Sequence, residues 1–184
     1  MSGPRGRKTR TTEAVIAMAK RTDKSQAASP ERYAVTVKPD WQEVERLREF
    51  TGTWASALLK DPWLRDRVAM VTAELLENAF RHGSPEQPSI HYEASVSQGT
   101  VLVRVVSETQ PGAKKEELAA RIAWLANFAT AREAYMAQVK RIVDGQSVGL
   151  GLARIAYEGD CRLTCRLHPD GRVEVEAQLL ASQR

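Results

Sequence analysis

Apolar positions along the chain change period several times, and each change marks an element. In "RYAVTVKP" Tyr33, Val35 and Val37 alternate on one side, which predicts a half-buried strand that Pro39 closes. Asp40 then stands as an N-cap before Val44, Leu47, Phe50 or Thr51, Trp54 and Leu58, spaced as one face of a helix. A second helix opens at Asp61 with Pro62 in its first position, and Gly83 ends it. "SIHYEASV" and "TVLVRVVSE" read as two strands joined at Gln98–Gly99. A long helical region follows over 114–143, with Leu118, Ile122, Leu125, Ala129, Met136, Val139 and Val143 on one stripe that Arg132 interrupts. "TARE" at Thr130–Glu133 has the form of a capping box, so the region reads as one helix or as two. The loop "DGQSVGLG" leads into a short helix, "LARIAYEG". Strands "CRLTCRL" and "RVEVEAQL" close the chain around the turn "HPDG".

The order is therefore β-α-α-β-β-α(α)-α-β-β, with strands in pairs and helices between the pairs. This predicts an α+β fold, a two-layer sandwich of a mixed, mainly antiparallel sheet with helices on one face.

Composition changes the picture at the N-terminus. Of 27 Lys and Arg and 23 Asp and Glu in the 184 residues, residues 1–30 hold seven basic against two acidic. The rest is left with 20 basic and 21 acidic. The segment is poor in large apolar groups and cannot offset its ordering entropy, so residues 1–30 read as a basic, mostly disordered arm, with a transient helix at most over Ala14–Lys20. Residues 31–184 read as one domain. Its near-neutral core is not built to grip phosphate backbones, and nucleic acid is not the expected partner. No apolar run reaches the ~18–20 residues of a membrane span, and no signal-type stretch follows the basic start, so a cytoplasmic protein is expected. Cys161 and Cys165 lie four apart on a strand, on the same side but too distant to bridge, and no histidine stands at zinc-ligand spacing with them. They read as reduced thiols.

The chemistry concentrates in "ELLENAFRHG" and "SVGLGLARIA". On a wheel at about 100° per residue, Val68, Ala69, Val71, Ala73, Leu75, Leu76, Ala79 and Phe80 cover one half of the second helix. Glu74 and Asn78, one turn apart, share the other half, with Arg67 and Arg81 beside them. A carboxylate can polarise a hydroxyl, an amide oxygen can hold Mg²⁺, and Arg81 can neutralise phosphate oxygens. Read alone, such a face is as readily a solvated one. Gly149 and Gly151, two apart before a helix, let backbone approach a ligand, and free N–H groups at a helix start attract anions.

Together, on this framework, the two segments resemble the GHKL family, which includes histidine kinases, gyrase, MutL and the bacterial anti-sigma factor serine/threonine kinases. "ELLENAFRHG" resembles its N-box and "GLGLARIA" its second glycine box. The opening strand and helix and the closing hairpin resemble the anti-sigma kinases, so the likeness spans about Arg32 to Leu180. The long helical insert and the lone "GLGL" resemble the SiaB-type branch. The resemblance implies a Bergerat-type ATP site between helices and sheet. In it Glu74 is the general base, Asn78 the Mg²⁺ ligand, Arg81 and His82 lie near the phosphates, and Gly149 and Gly151 belong to the phosphate-covering loop. It also implies a protein partner (a STAS-like antagonist or a sigma factor) and leaves room for a homodimer.

The chain departs from the family at the first glycine box. Where an Asp-x-Gly-x-Gly is expected, it reads "VSETQPGAKKE": Glu108 is the nearest carboxylate, and only Gly112 remains of the glycines. Three readings stay open: an ATP-dependent protein kinase, a non-catalytic binding module with a degenerate ATP site, and a nucleic-acid-associated protein acting through its arm.

Overall fold

The computed structural model describes residues 30–84, 89–109, 115–146 and 149–181. The basic arm, save Pro30, and Gly112 lie outside them. The elements are β1 (Glu31–Val37), α1 (Trp41–Leu59), α2 (Pro62–His82), β2 (Ile90–Ser97), β3 (Thr100–Glu108), α3 (Lys115–Leu125), α4 (Ala131–Val143), α5 (Gly151–Glu158), β4 (Cys161–Leu167) and β5 (Arg172–Leu180).

Local chemistry sets the helix boundaries. The Asp40 carboxylate accepts the Gln42 N–H at 2.8 Å and so starts α1. Lys60 takes the left-handed conformation, φ 53°, and turns the chain. Asp61 then accepts the Trp63 N–H at 3.1 Å, with Pro62 in the first turn of α2. The two helices form a closely packed pair. The 114–143 region is two helices: Thr130 Oγ1 accepts the Glu133 N–H at 3.2 Å and caps α4. Restarting the helix there resets its phase, so the single stripe is not kept. Ala134 and Gln138 are the buried positions of α4, while Met136 and Val143 are exposed.

The five strands run in the order β1-β2-β3-β5-β4, and each of the four ladders is antiparallel. The expectation of a mainly antiparallel sheet thus holds in its stricter form, with no parallel pair among these strands. Strand periodicity sends Ile90, Tyr92, Ala94 and Val96 of β2, and Val101, Val103 and Val105 of β3, to one buried face. α1 lies against β2, α2 against β3 and β5, and α3 and α5 against β4. At the centre, the buried Tyr92 hydroxyl shares hydrogen bonds with Thr51 of α1 at 2.7 Å and Thr72 of α2 at 3.3 Å.

The opposite sheet face carries charge. Arg104 on β3 donates to Glu176 on β5 at 3.0 Å and lies 3.7 Å from Glu93 on β2, which also pairs with Arg32 on β1. Glu93 is buried, and its two guanidinium neighbours compensate the carboxylate. Among the described residues, no helix is long and apolar enough to cross a membrane.

Candidate functional site

The sandwich leaves a cavity of about 410 Å³ between α2, the start of α5, α3 and the inner face of β3 and β5. That is within the usual size range of small-ligand pockets. Glu74, Asn78, Arg81, His82, Gly149 and Gly151 all line it. The polar half of α2 therefore faces a cleft rather than open water. From Glu74 to His82 the helix rises about 12 Å, which sets the length of the cleft's helical wall.

The Glu74 end is tightly built. Oε1 of Glu74 accepts from Arg154 Nη1 at 3.0 Å, and the same guanidinium donates through Nε to Glu158 at 2.9 Å. The hydrogen bond to Glu158, with the charges of Glu158 and Glu74, raises the Arg154 pKa further. Oε2 of Glu74 lies beside Gly151: a Cβ on Gly151 would stand 2.8 Å from that oxygen and 3.7 Å from Asn78 Nδ2. Glycine lets the Glu74 carboxylate lie this close; a larger residue would push it aside. Asn78 Nδ2 is itself buried and without a hydrogen-bond partner, which marks unspent donor capacity at the cavity wall.

The glycine loop enters this end in a form suited to anions. Gly149 has φ +82°, a conformation open to glycine at little cost. Its carbonyl accepts from Arg121 of α3 at 3.1 Å and from buried Gln138 of α4 at 3.0 Å. The two inserted helices thus turn the Gly149 carbonyl toward themselves. α5 begins at Gly151 with no side-chain cap, so its first N–H groups have no side-chain acceptor. An anion would find there a helix start and, on α2, an unpaired amide donor.

The other end is different in kind. Gly83 at the end of α2 bridges to Thr109 just past β3. Ser107 and Thr109 bring hydroxyls to the cleft beside Val105, Val173 and Val175. Glu108, the carboxylate expected nearest the missing aspartate, stands on the opposite register with Arg104 and Val106 and does not line the cavity. β-strand alternation makes the substitution impossible: moving one position along β3 reverses the face. Arg81 and His82 are exposed at the rim, and Arg81 pairs with Glu77 at 3.2 Å. Arg67 leaves the group altogether. It donates to the Gly159 and Asp160 carbonyls at 2.9 and 3.1 Å, fastening α2 to the turn before β4.

Arg154, Arg121, Gln138, Ser107 and Thr109 were not legible as site residues. The Arg154–Glu158 spacing of four was visible, but the contact with Glu74 spans 80 positions and only the fold creates it. Among the described residues no group of three or more His, Cys, Asp or Glu could hold a metal ion. A Mg²⁺ here would have to arrive with ligand oxygens and use Asn78 as its protein contact. Phosphate-borne Mg²⁺ commonly binds in that manner, retaining waters. Cys161 and Cys165 are both free thiols, on the helix-facing side of β4.

No family model matches the chain, and none of the curated proteins matches it. Among solved structures, a chain in the crystal structure of the SiaB–SiaC complex from Pseudomonas aeruginosa matches with a TM-score of 0.62 at 17% sequence identity. The match covers 80% of this chain and 89% of that one. At this identity the likeness is one of fold.

Proposed function

We propose that the cleft binds ATP·Mg²⁺ and that the protein is a regulatory protein of the anti-sigma factor kinase type, which phosphorylates or sequesters a partner protein. The observation that carries the reading is the meeting of Glu74, Asn78 and the uncapped start of α5 behind Gly149 and Gly151 in one cavity. Phosphoryl transfer asks a protein mainly for positioning and charge neutralisation. The α5 N–H groups and Asn78 Nδ2 would take phosphate oxygens, and the Asn78 carbonyl would hold Mg²⁺, which would supply neutralisation of phosphate charge. Glu74, held by Arg154, would accept the proton of a partner's Ser or Thr hydroxyl. Arg81 and His82 line the exposed rim at the opposite end of the α2 wall, about 12 Å from Glu74, where they would border the nucleotide away from its phosphates. The solved fold relative is a complex of SiaB with SiaC, which supports a protein partner for this chain, in keeping with the STAS-like antagonist or sigma factor suggested by the sequence.

A second reading has its own observation. The Glu74 carboxylate is already engaged by Arg154, and among the described residues no carboxylate lines the sheet end of the cleft. Both features suit a binding module that sequesters its partner without turning over ATP.

One experiment separates the readings. On the first, ATP·Mg²⁺ at 100 times its dissociation constant stabilises the protein by about 2.7 kcal/mol, read as a raised melting temperature. Asn78→Ala then weakens binding, whereas Glu74→Ala leaves binding and lowers transfer to the partner by roughly 10²–10⁴-fold. A melting temperature unmoved by ATP·Mg²⁺ removes the kinase reading and leaves the binding module.

A further inference from the structure

The chemistry of the sheet end of the cleft sets which nucleotide it takes. Resting on the nucleotide reading above, we propose that the site is a purine site without a fixed choice of base, accepting guanine as readily as adenine, with Ser107 and Thr109 as the contacts to the base edge.

The cleft has two unlike ends. Anion-seeking groups gather at the Glu74 end, where α5 starts uncapped and Asn78 Nδ2 lacks a partner. Phosphates belong there. The base is then directed toward the far end, about 12 Å along α2, where Val105, Val173 and Val175 supply apolar wall for a ring face. Polar contact from the sheet is supplied there by two hydroxyls. Ser107 is buried on the inner register of β3. Thr109 Oγ1 lies 3.4 Å from the Gly171 carbonyl, long for an O–H···O bond, so its hydroxyl can turn from that carbonyl toward a ligand.

A hydroxyl is a donor and an acceptor on a rotating bond. Adenine presents an amino donor where guanine presents the O6 acceptor. A carboxylate at this place would accept from the first and repel the second. Sites of fixed polarity reject the wrong partner strongly because a buried polar group is left unpaired. The Ser107 hydroxyl turns to suit either edge, so neither base leaves it unpaired. Glu108, which would have imposed a polarity, is on the other face of the sheet.

The test compares ATP·Mg²⁺ and GTP·Mg²⁺ on the same preparation, by thermal shift and by calorimetric titration. The expected dissociation constants agree within about tenfold, and Ser107→Asp drives the ratio beyond about 100-fold in favour of ATP. The ratio is read within each variant, so a change in its stability does not enter. Should the Ser107→Asp chain fail to fold, Thr109→Asp carries the same test from the less buried position. ATP binding with GTP rejected more than about 100-fold in the unaltered protein overturns this inference alone. Binding of neither nucleotide overturns it together with the nucleotide reading.

Discussion

Gly151, Glu74 and Arg154 form the tightest contact in the cleft, and each has a distinct expected effect. A Cβ at Gly151 would press on Glu74 Oε2 at 2.8 Å, the far end of a side chain that can swing away. Gly151→Ala should therefore cost within about 1 kcal/mol of stability while displacing the carboxylate and narrowing the approach to the α5 N–H groups. The expected outcome is an unliganded melting temperature near that of the parent and a weakened response to ATP·Mg²⁺. A large loss of stability without ligand would show that the glycine serves only helix packing. Arg154 acts through Glu74. Arg154→Ala removes two charge-assisted hydrogen bonds, to Glu74 and to Glu158; the one that holds Glu74 is worth ~1.5 kcal/mol, so transfer should fall about tenfold with ATP affinity kept, and Arg154→Lys should recover most of it. An equal fall in binding and transfer would instead place the guanidinium among the phosphate contacts. Much of this site could be read from the sequence at the level of residue type: the Glu74–Asn78 turn and the glycine pair were both visible. What could not be read was pairing across distance. The ion pair from α5 to α2 and the Gly149 carbonyl's two donors exist only once the helices have packed.

At the level of elements, the helical insert gains a role that its sequence conceals. α3 and α4 send Arg121 and Gln138 to the same carbonyl, and through it they hold the glycine loop. Gln138 is a polar residue buried at 3% exposure, which is uncommon unless its hydrogen bonds are used. Gln138→Leu keeps approximate volume and removes the donor, leaving Arg121 as the remaining hold. The expected result is a stability loss of about 1–3 kcal/mol, faster amide exchange over Gly149–Ala153, and weaker nucleotide binding. Exchange in that loop equal to the parent's would show that α4 does not restrain it. Other elements were legible because their end signals are local. Asp40, Asp61 with Pro62, and Thr130 each cap a helix as their spacing predicts. The single stripe over 114–143 misled for a related reason. A periodic pattern can run on through a turn by coincidence, and the residue that counts on α4 was the buried amide at Gln138 rather than the apolar Met136 and Val143.

For the whole molecule, alternating strands in pairs with helices between them were enough to predict the two layers, because each strand shows one apolar face and each helix one stripe. Strand order was not legible in the same way, since β5 enters between β3 and β4 through pairings of long sequence separation. The closed interior has a consequence that belongs to the entire sandwich. Burial pushes the Cys161 thiol up from 9.0 to about 12, with Asp160 adding to the rise and nearby Arg67 opposing it. Burial likewise pushes Tyr92 up from 10.0 to about 12, against the lowering effect of its hydrogen bonds to Thr51 and Thr72. Both groups are neutral when protonated, and the unfolded chain loses these protons near the ordinary values. Above about pH 9 the unfolded state therefore holds fewer protons than the native state, and stability falls as pH rises. The contribution is complete below that pH and disappears as the pH passes through about 12. Denaturation midpoints measured at about pH 8 and about pH 10.5 should show a clear loss at the higher value. Cys161→Ala should flatten part of the slope. Tyr92→Phe should flatten another part while lowering stability at both values by about 1 kcal/mol through the lost hydroxyl contacts. Cys161 lies on edge strand β4 beneath α5 and Tyr92 on β2 beneath α1 and α2, at opposite sides of the sheet. If the sandwich unfolds as one unit, both ionisations act on a single transition and their effects on the slope add. A midpoint that moves with only one of them would mean that the two halves of the sheet unfold separately, and a flat profile would show that neither group is held protonated by the fold.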